Sequence, residues 1–205
     1  MSIPRVLSRG LRRLAPVLVL LLLALAGGGC GNSQDESGGH PDYAKALAGS
    51  PPPLAALHRQ ANDLLPGGVD AYEERLAALR GYPVVVNLWA SWCGPCRFEF
   101  PWFQRTAARY GKRVAFLGVD KQDSDDAAET FLREEPVPYP SYTDPDEEIA
   151  ESIDGDATRG LPTTAFYDRD GELAYLKLGP YEDEAELRAD VERYAIRGGP
   201  PAEGG

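Results

Sequence analysis

The chain has 205 residues, of which 32 are acidic and 21 basic, giving a net charge of −11. So acidic a composition argues against nucleic acid as a partner, since phosphate binding needs clustered Lys and Arg, and the length suits one domain with a real core once both ends are set aside. Three cysteines are too few for a disulfide-built scaffold, so the fold must rest on its apolar interior.

Arg5, Arg9, Arg12 and Arg13 precede an apolar segment from Leu14 to Ala26. A charged start followed by an apolar stretch too short for a permanent span reads as an export signal, so residues 1–29 are expected to be a signal peptide. Two cleavage sites compete. Ala24-Leu25-Ala26 suits ordinary signal peptidase and leaves Cys30 as an odd thiol. Gly27-Gly28-Gly29-Cys30 resembles a lipoprotein box, although Gly27 stands where an aliphatic residue is usual. Lipidation of Cys30 is preferred because it accounts for the odd cysteine and because Gly31 to Gly39 has the composition of a flexible tether. The expectation is an extracytoplasmic protein anchored to the outer face of the cell membrane through Cys30, and otherwise secreted or periplasmic. A tether over 30–53, a folded domain over 54–196 and a disordered tail over 197–205 complete the plan.

Leu54, Leu57, Ala61, Leu64 and Leu65 share one helical face, and Pro66-Gly67-Gly68 stops that helix. A second helix is expected from Asp70 to Leu79, closed by Gly81 as a left-handed cap. Val84 to Ala90 is an apolar, β-branched run with little alternation, as expected of a strand covered on both faces. From Pro95, tolerated in a first turn, the pattern becomes helical, with Phe98, Trp102, Phe103 and Ala107 as its stripe. Pro101 removes a backbone bond inside this helix and is expected to kink it.

The strand-to-helix junction carries Cys93 and Cys96. At a helix start the free N–H groups and the helix dipole favour an anion, which makes Cys93 the more nucleophilic thiol. Cys96, one turn on, can attack a mixed disulfide formed at Cys93 and release the partner. A zinc site would need a second pair of ligands, and His40 and His58 have no ligand-like spacing. A purely structural disulfide would remove little unfolded-state entropy across so short a loop. Redox chemistry is the preferred reading of the three.

Val114 to Asp120 reads as a second buried strand, implying a parallel pair with the first. Asp123 or Ser124 can cap a helix running to Glu134, with Ala127, Ala128, Phe131 and Leu132 inward. Pro136 to Thr143 is broken by prolines and is expected to supply only a short edge strand, followed by a helix over Asp144 to Ile153. Thr163–Tyr167 and Leu173–Leu178 form a hairpin about Asp168-Arg169-Asp170-Gly171, which lacks the ligand ladder of a calcium loop. Pro162 heads the first of these strands, itself a routine way to start one. Asp183 to Ala195 is a final amphipathic helix. The acidic runs are solvated surface.

Trp89-Ala90-Ser91-Trp92-Cys93-Gly94-Pro95-Cys96 resembles the active-site signature of thioredoxin-fold proteins. Asn87-Leu88-Trp89 before it and Glu99-Phe100-Pro101 after it resemble the TlpA/ResA branch of extracytoplasmic thiol–disulfide oxidoreductases. The resemblance covers roughly residues 54 to 195. It implies an α/β thioredoxin-like fold, a mixed central sheet flanked by helices, with the Pro136–Ile153 strand and helix as the branch's insertion. It implies that Leu161–Pro162 is the cis-proline loop, whose backbone at Leu161 pairs with a substrate peptide. Asn87 stands where plain thioredoxins carry a buried aspartate, and Glu99 matches the acidic residue of the branch, expected to handle protons for the dithiol, with an ordinary surface glutamate near the helix N-terminus as the alternative. Trp92, Gly94 and Pro95 would contact partners with Leu161 and Pro162, and Trp89 belongs to the core. Gly94-Pro95 is the dipeptide of reducing thioredoxins, while export places the chain where disulfides are favoured.

The function expected is a monomeric protein disulfide reductase acting on protein thiols and disulfides. It needs no organic cofactor or metal and draws electrons from a membrane thiol donor. The family's work on apocytochrome c thiols before haem attachment is one assignment, and general disulfide reduction is equally open. An oxidant or isomerase, a peroxide-reducing enzyme and a non-catalytic binding module are the rivals. No Thr-x-x-Cys pattern accompanies Cys93, which disfavours the peroxidase.

Overall fold

Six strands form one sheet, in the spatial order Leu64–Leu65, Ser141–Asp144, Ala115–Lys121, Val84–Trp89, Thr163–Tyr167 and Leu173–Leu178. The computed structural model describes residues 39–199, so the expected signal peptide, Cys30 and residues 200–205 lie outside the described residues. The strands are β1 (Leu64–Leu65), β2 (Val84–Trp89), β3 (Ala115–Lys121), β4 (Ser141–Asp144), β5 (Thr163–Tyr167) and β6 (Leu173–Leu178). The first four run parallel, β5 runs antiparallel to its neighbour β2, and β6 runs antiparallel to β5, making the sheet mixed. The hairpin spans both strands as the sequence predicts, and Gly171 supplies its left-handed residue at φ 82°.

Helices cover both faces: α1 (Tyr43–Ala46), α2 (Pro52–His58), α3 (Gly68–Ala78), α4 (Gly94–Tyr110), α5 (Asp125–Glu134), α6 (Glu148–Ile153) and α7 (Glu184–Asp190). Alternation along β2 divides the core. Val85 and Trp89 point to one face and pack with Phe100 and Phe103 of α4, Phe131 of α5 and Leu187 of α7. Val84, Val86 and Leu88 point to the other and meet Leu54 and Leu57 of α2, Tyr72 of α3 and Ile149 of α6. Both faces of β2 are dry, which is why its sequence shows no polar alternation. No helix among the described residues is long and apolar enough to cross a membrane.

Several boundaries differ from expectation. Leu64 and Leu65 do not extend the helix begun at Pro52. The chain leaves α2 at His58, Asn62 takes a positive φ of 68°, and the two leucines pair with Ser141 and Tyr142. That pairing moves β4 off the edge and gives the edge to β1. The tether is shorter than expected, because Tyr43 donates its hydroxyl to the Pro136 carbonyl at 2.7 Å and Leu47 is buried. The last helix is α-helical only to Asp190 and continues as a π-helical turn over Val191–Ile196. Phe98 is exposed rather than inward. The buried stripe of α4 is Cys96, Glu99, Phe100, Phe103, Ala107 and Tyr110, and the helix runs unbroken through Pro101.

Gly118 marks the tightest packing. A Cβ there would collide with the Ser141 side chain and come within 2.9 Å of Trp89 Nε1, which donates to Ser141 Oγ at 3.2 Å. Gly118→Ala is expected to lower stability by about 1–3 kcal/mol through overpacking, read as a lower urea midpoint with an unchanged slope. An unchanged midpoint would mean that β4 shifts freely.

Candidate active site

Cys93 is the N-cap of α4, and its Sγ accepts the N–H of Cys96 at 3.2 Å. The two cysteines are joined as a disulfide with Cα atoms 5.3 Å apart, and both are buried. Pro95 in the first turn gives up an N–H that the helix would leave unpaired anyway. A thiolate released at Cys93 therefore lies at the donor-rich end of a helix, where negative charge is favoured.

Gly94 and Pro95 are exposed, and Trp92 is 60% exposed. The Leu161–Pro162 peptide is cis, as expected, and Thr163 pairs with Leu88, so the loop lies beside the end of β2. Leu161 is half-buried against the core cluster containing both cysteines, whereas Pro162 is itself buried. Among the described residues the large exposed apolar side chains are Trp92, Phe98 and Leu178. Phe98 stands two residues after Cys96, and Leu178 pairs with Thr163 next to the cis peptide. Phe98 was legible only as part of a helical stripe, and Leu178 carried no signal of its own.

The segment after β3 braces this rim in a way that sequence reading missed. Asp123 accepts the Ser91 N–H at 2.5 Å, and Gln122, at φ 54°, accepts Trp92 Nε1–H at 2.9 Å. Lys121, buried, pairs with Glu147 at 2.7 Å and donates to the carbonyls of Ala157 and Thr158, in the turn leading to the cis peptide. One strand end thus holds the approaches to both Cys93 and Pro162. Asp120 is buried opposite Trp89, and burial, then the charges of Asp123 and Asp125, raises its carboxyl to about 8.

Glu99 is not a surface glutamate. It is 1% exposed on the face of α4 that carries Cys96. Burial raises its carboxyl to about 7, against the Tyr181 N–H that donates to Oε2 at 3.0 Å and the charge of Lys177; Glu186 pushes the other way. Its Oε1, both amide atoms of Asn87 and the Tyr139 hydroxyl are buried without a hydrogen-bond partner among the described residues. Of these groups only Glu99 can exchange a proton at neutral pH, since an amide does not titrate and burial holds the Tyr139 phenol protonated.

The family model described as Redoxin matches residues 60–192. The chain belongs to the Redoxin family. It is 27% identical to the thiol-disulfide oxidoreductase ResA of Geobacillus kaustophilus, over 68% of this chain and 76% of that protein. It is 35% identical to the thiol:disulfide interchange protein DsbE homolog of Paracoccus denitrificans, over 62% of this chain and 69% of the relative. Among solved structures it resembles a secreted Mycobacterium tuberculosis disulfide oxidoreductase homologous to E. coli DsbE. The TM-score is 0.51 at 26% identity, covering 56% of this chain and 84% of that one. This Redoxin-family chain is accordingly a thiol–disulfide oxidoreductase of the ResA/DsbE type, with a thioredoxin-like fold.

Proposed function

We propose that the protein is an extracytoplasmic protein disulfide reductase in which Cys93 attacks, Cys96 resolves and Glu99 carries the proton. The observation that carries this reading is a Cys93–Cys96 disulfide at the head of α4 with a buried carboxyl at Glu99 on the same helix face. In the reduced enzyme the Cys93 thiolate attacks one sulfur of a partner disulfide and forms a mixed disulfide, and the partner's other sulfur leaves as a thiolate. The Cys96 thiol gives its proton to the Glu99 carboxylate. Cys96 sulfur then attacks Cys93 sulfur, the enzyme disulfide forms and the partner's second sulfur departs. Two electrons pass to the partner, whose thiolates take protons from water.

Trp92, Gly94, Pro95 and Leu161 form the surface on which an extended partner segment docks, beside Pro162. Export is supported by Arg5–Arg13 and the apolar run after it, and the similar Mycobacterium tuberculosis protein is secreted. The anchor is a lipid on Cys30, and the recharging donor is a membrane thiol protein. Apocytochrome c is the first partner to try, with other protein disulfides beside it; the chain acts as a monomer. Equilibrating the chain against thiol buffers tests the direction. A potential at or below about −230 mV is expected. A value between about −180 and −120 mV would make it an oxidant or isomerase instead.

A further inference from the structure

One transverse row of the sheet carries polar side chains at Lys177, Thr164, Asn87 and Ser141, with Gly118 between the last two and Leu64 beyond Ser141. Strand register pairs Lys177 of β6 with Thr164 of β5, Thr164 with Asn87 of β2, Asn87 with Gly118 of β3 and Gly118 with Ser141 of β4. Paired residues share a face, and Asn87 shares its face with Val85 and Trp89, which pack under α4. The row therefore runs beneath the helix that carries Cys96 and Glu99, and it reaches the sheet edge at Lys177. There Lys177 Nζ lies 3.5 Å from Glu186 Oε1, donates to the Pro180 carbonyl at 3.3 Å, and sits 5.3 Å from the Tyr181 ring centroid. The N–H of that same Tyr181 holds the Glu99 carboxylate.

We propose that Lys177 is a positioning residue for disulfide exchange: with Glu186 it forms an opposed-charge pair at the solvent end of this row and sets when Glu99 takes up and returns its proton. The inference rests on the proton role given to Glu99 above. A carboxyl with 1% exposure exchanges protons with water only through its neighbours. The Lys177 side chain is 20% exposed and that of Glu186 38%, so the pair spans from interior to solvent. The charged and titratable groups facing Glu99 are Cys96 on its own helix, Lys177 from β6, Glu186 from α7, Tyr181 from the loop between them and Tyr139 from the segment before β4. Burial holds both tyrosines protonated, so Lys177 and Glu186 are the pair whose full charges act in opposite senses. Neither bears on the signature motif, which is why the sequence alone does not single them out.

The test is the pH dependence of the single-turnover rate with which the reduced full chain cleaves a synthetic peptide disulfide. The inflection that disappears in Glu99→Gln belongs to Glu99. Lys177→Met is expected to move it upward by about one pH unit and Glu186→Gln to move it downward, while Lys177→Arg restores it to within a few tenths. A purely structural role would lower stability without moving the inflection in opposite directions. Unmoved inflections in both Lys177→Met and Glu186→Gln, with Glu99→Gln still abolishing the feature, overturn the inference and leave the Glu99 reading standing. An inflection that survives Glu99→Gln removes that reading, and the inference with it.

Discussion

Cys93→Ser is expected to reduce disulfide exchange by on the order of a thousandfold or more, because a serine hydroxyl at the head of α4 is not ionised at neutral pH and the one other cysteine among the described residues, Cys96, does not sit at the helix N-cap. Cys96→Ser should behave differently. Cys93 still attacks, but the mixed disulfide has no resolving thiol, so the enzyme stays covalently bound to its partner through Cys93. Non-reducing electrophoresis and mass spectrometry of the captured adduct would then identify the partner. An adduct that forms through Cys96 in the Cys93→Ser chain, at a rate comparable to the wild type, would reverse the two roles. Cys96 lies inside the first turn of α4 rather than at its N-cap, where the free N–H groups favour a thiolate at Cys93, which argues against that outcome.

Stability of the oxidised chain is expected to fall by several kcal/mol between pH 5 and pH 8. Glu99 and Asp120 are held at about 7 and about 8 in the folded protein, both by burial first, while unfolded carboxyls titrate near 4. Folded values above unfolded ones mean that the native state binds more protons across the interval. The stabilisation is therefore complete below about pH 4 and gone above about pH 8. Urea midpoints at pH 5 and pH 8 measure it. Asp120→Asn should flatten the profile most, since the amide is neutral at every pH and the larger displacement belongs to Asp120. A midpoint that rises with pH would mean that neither carboxyl is held protonated, and an unaltered slope in Asp120→Asn would mean that Asp120 is not. Asp120 also stands beside Asp123, whose carboxylate grips Ser91 two residues ahead of Cys93, so the same variant reports on how firmly that loop is held.

The centre of the fold was legible because its constraints are local. A dry strand cannot hide its apolar run, so Val84–Trp89 and Ala115–Lys121 stand within a residue of their expected limits. Cys93 follows from its place at a strand-to-helix junction, and the family resemblance placed the cis peptide at Leu161–Pro162. Glu99 was visible as a residue on the Cys96 face of α4, although a surface glutamate has the same spacing.

What the sequence could not reveal depends on partners distant along the chain. Leu64 and Leu65 fit a helical face perfectly well and become a strand only because Ser141 and Tyr142 offer an edge 77 residues later. Phe98 has the hydrophobicity of a core residue, and only the roll of α4 on the sheet turns it outward. Local sequence determined the dithiol and its chemistry, since helix ends and buried strands are written in neighbouring residues. Tertiary structure decided the proton affinities, because burial of Glu99 and Asp120, and the approach of Lys177 and Glu186, arise from strand register, which no short window of sequence contains.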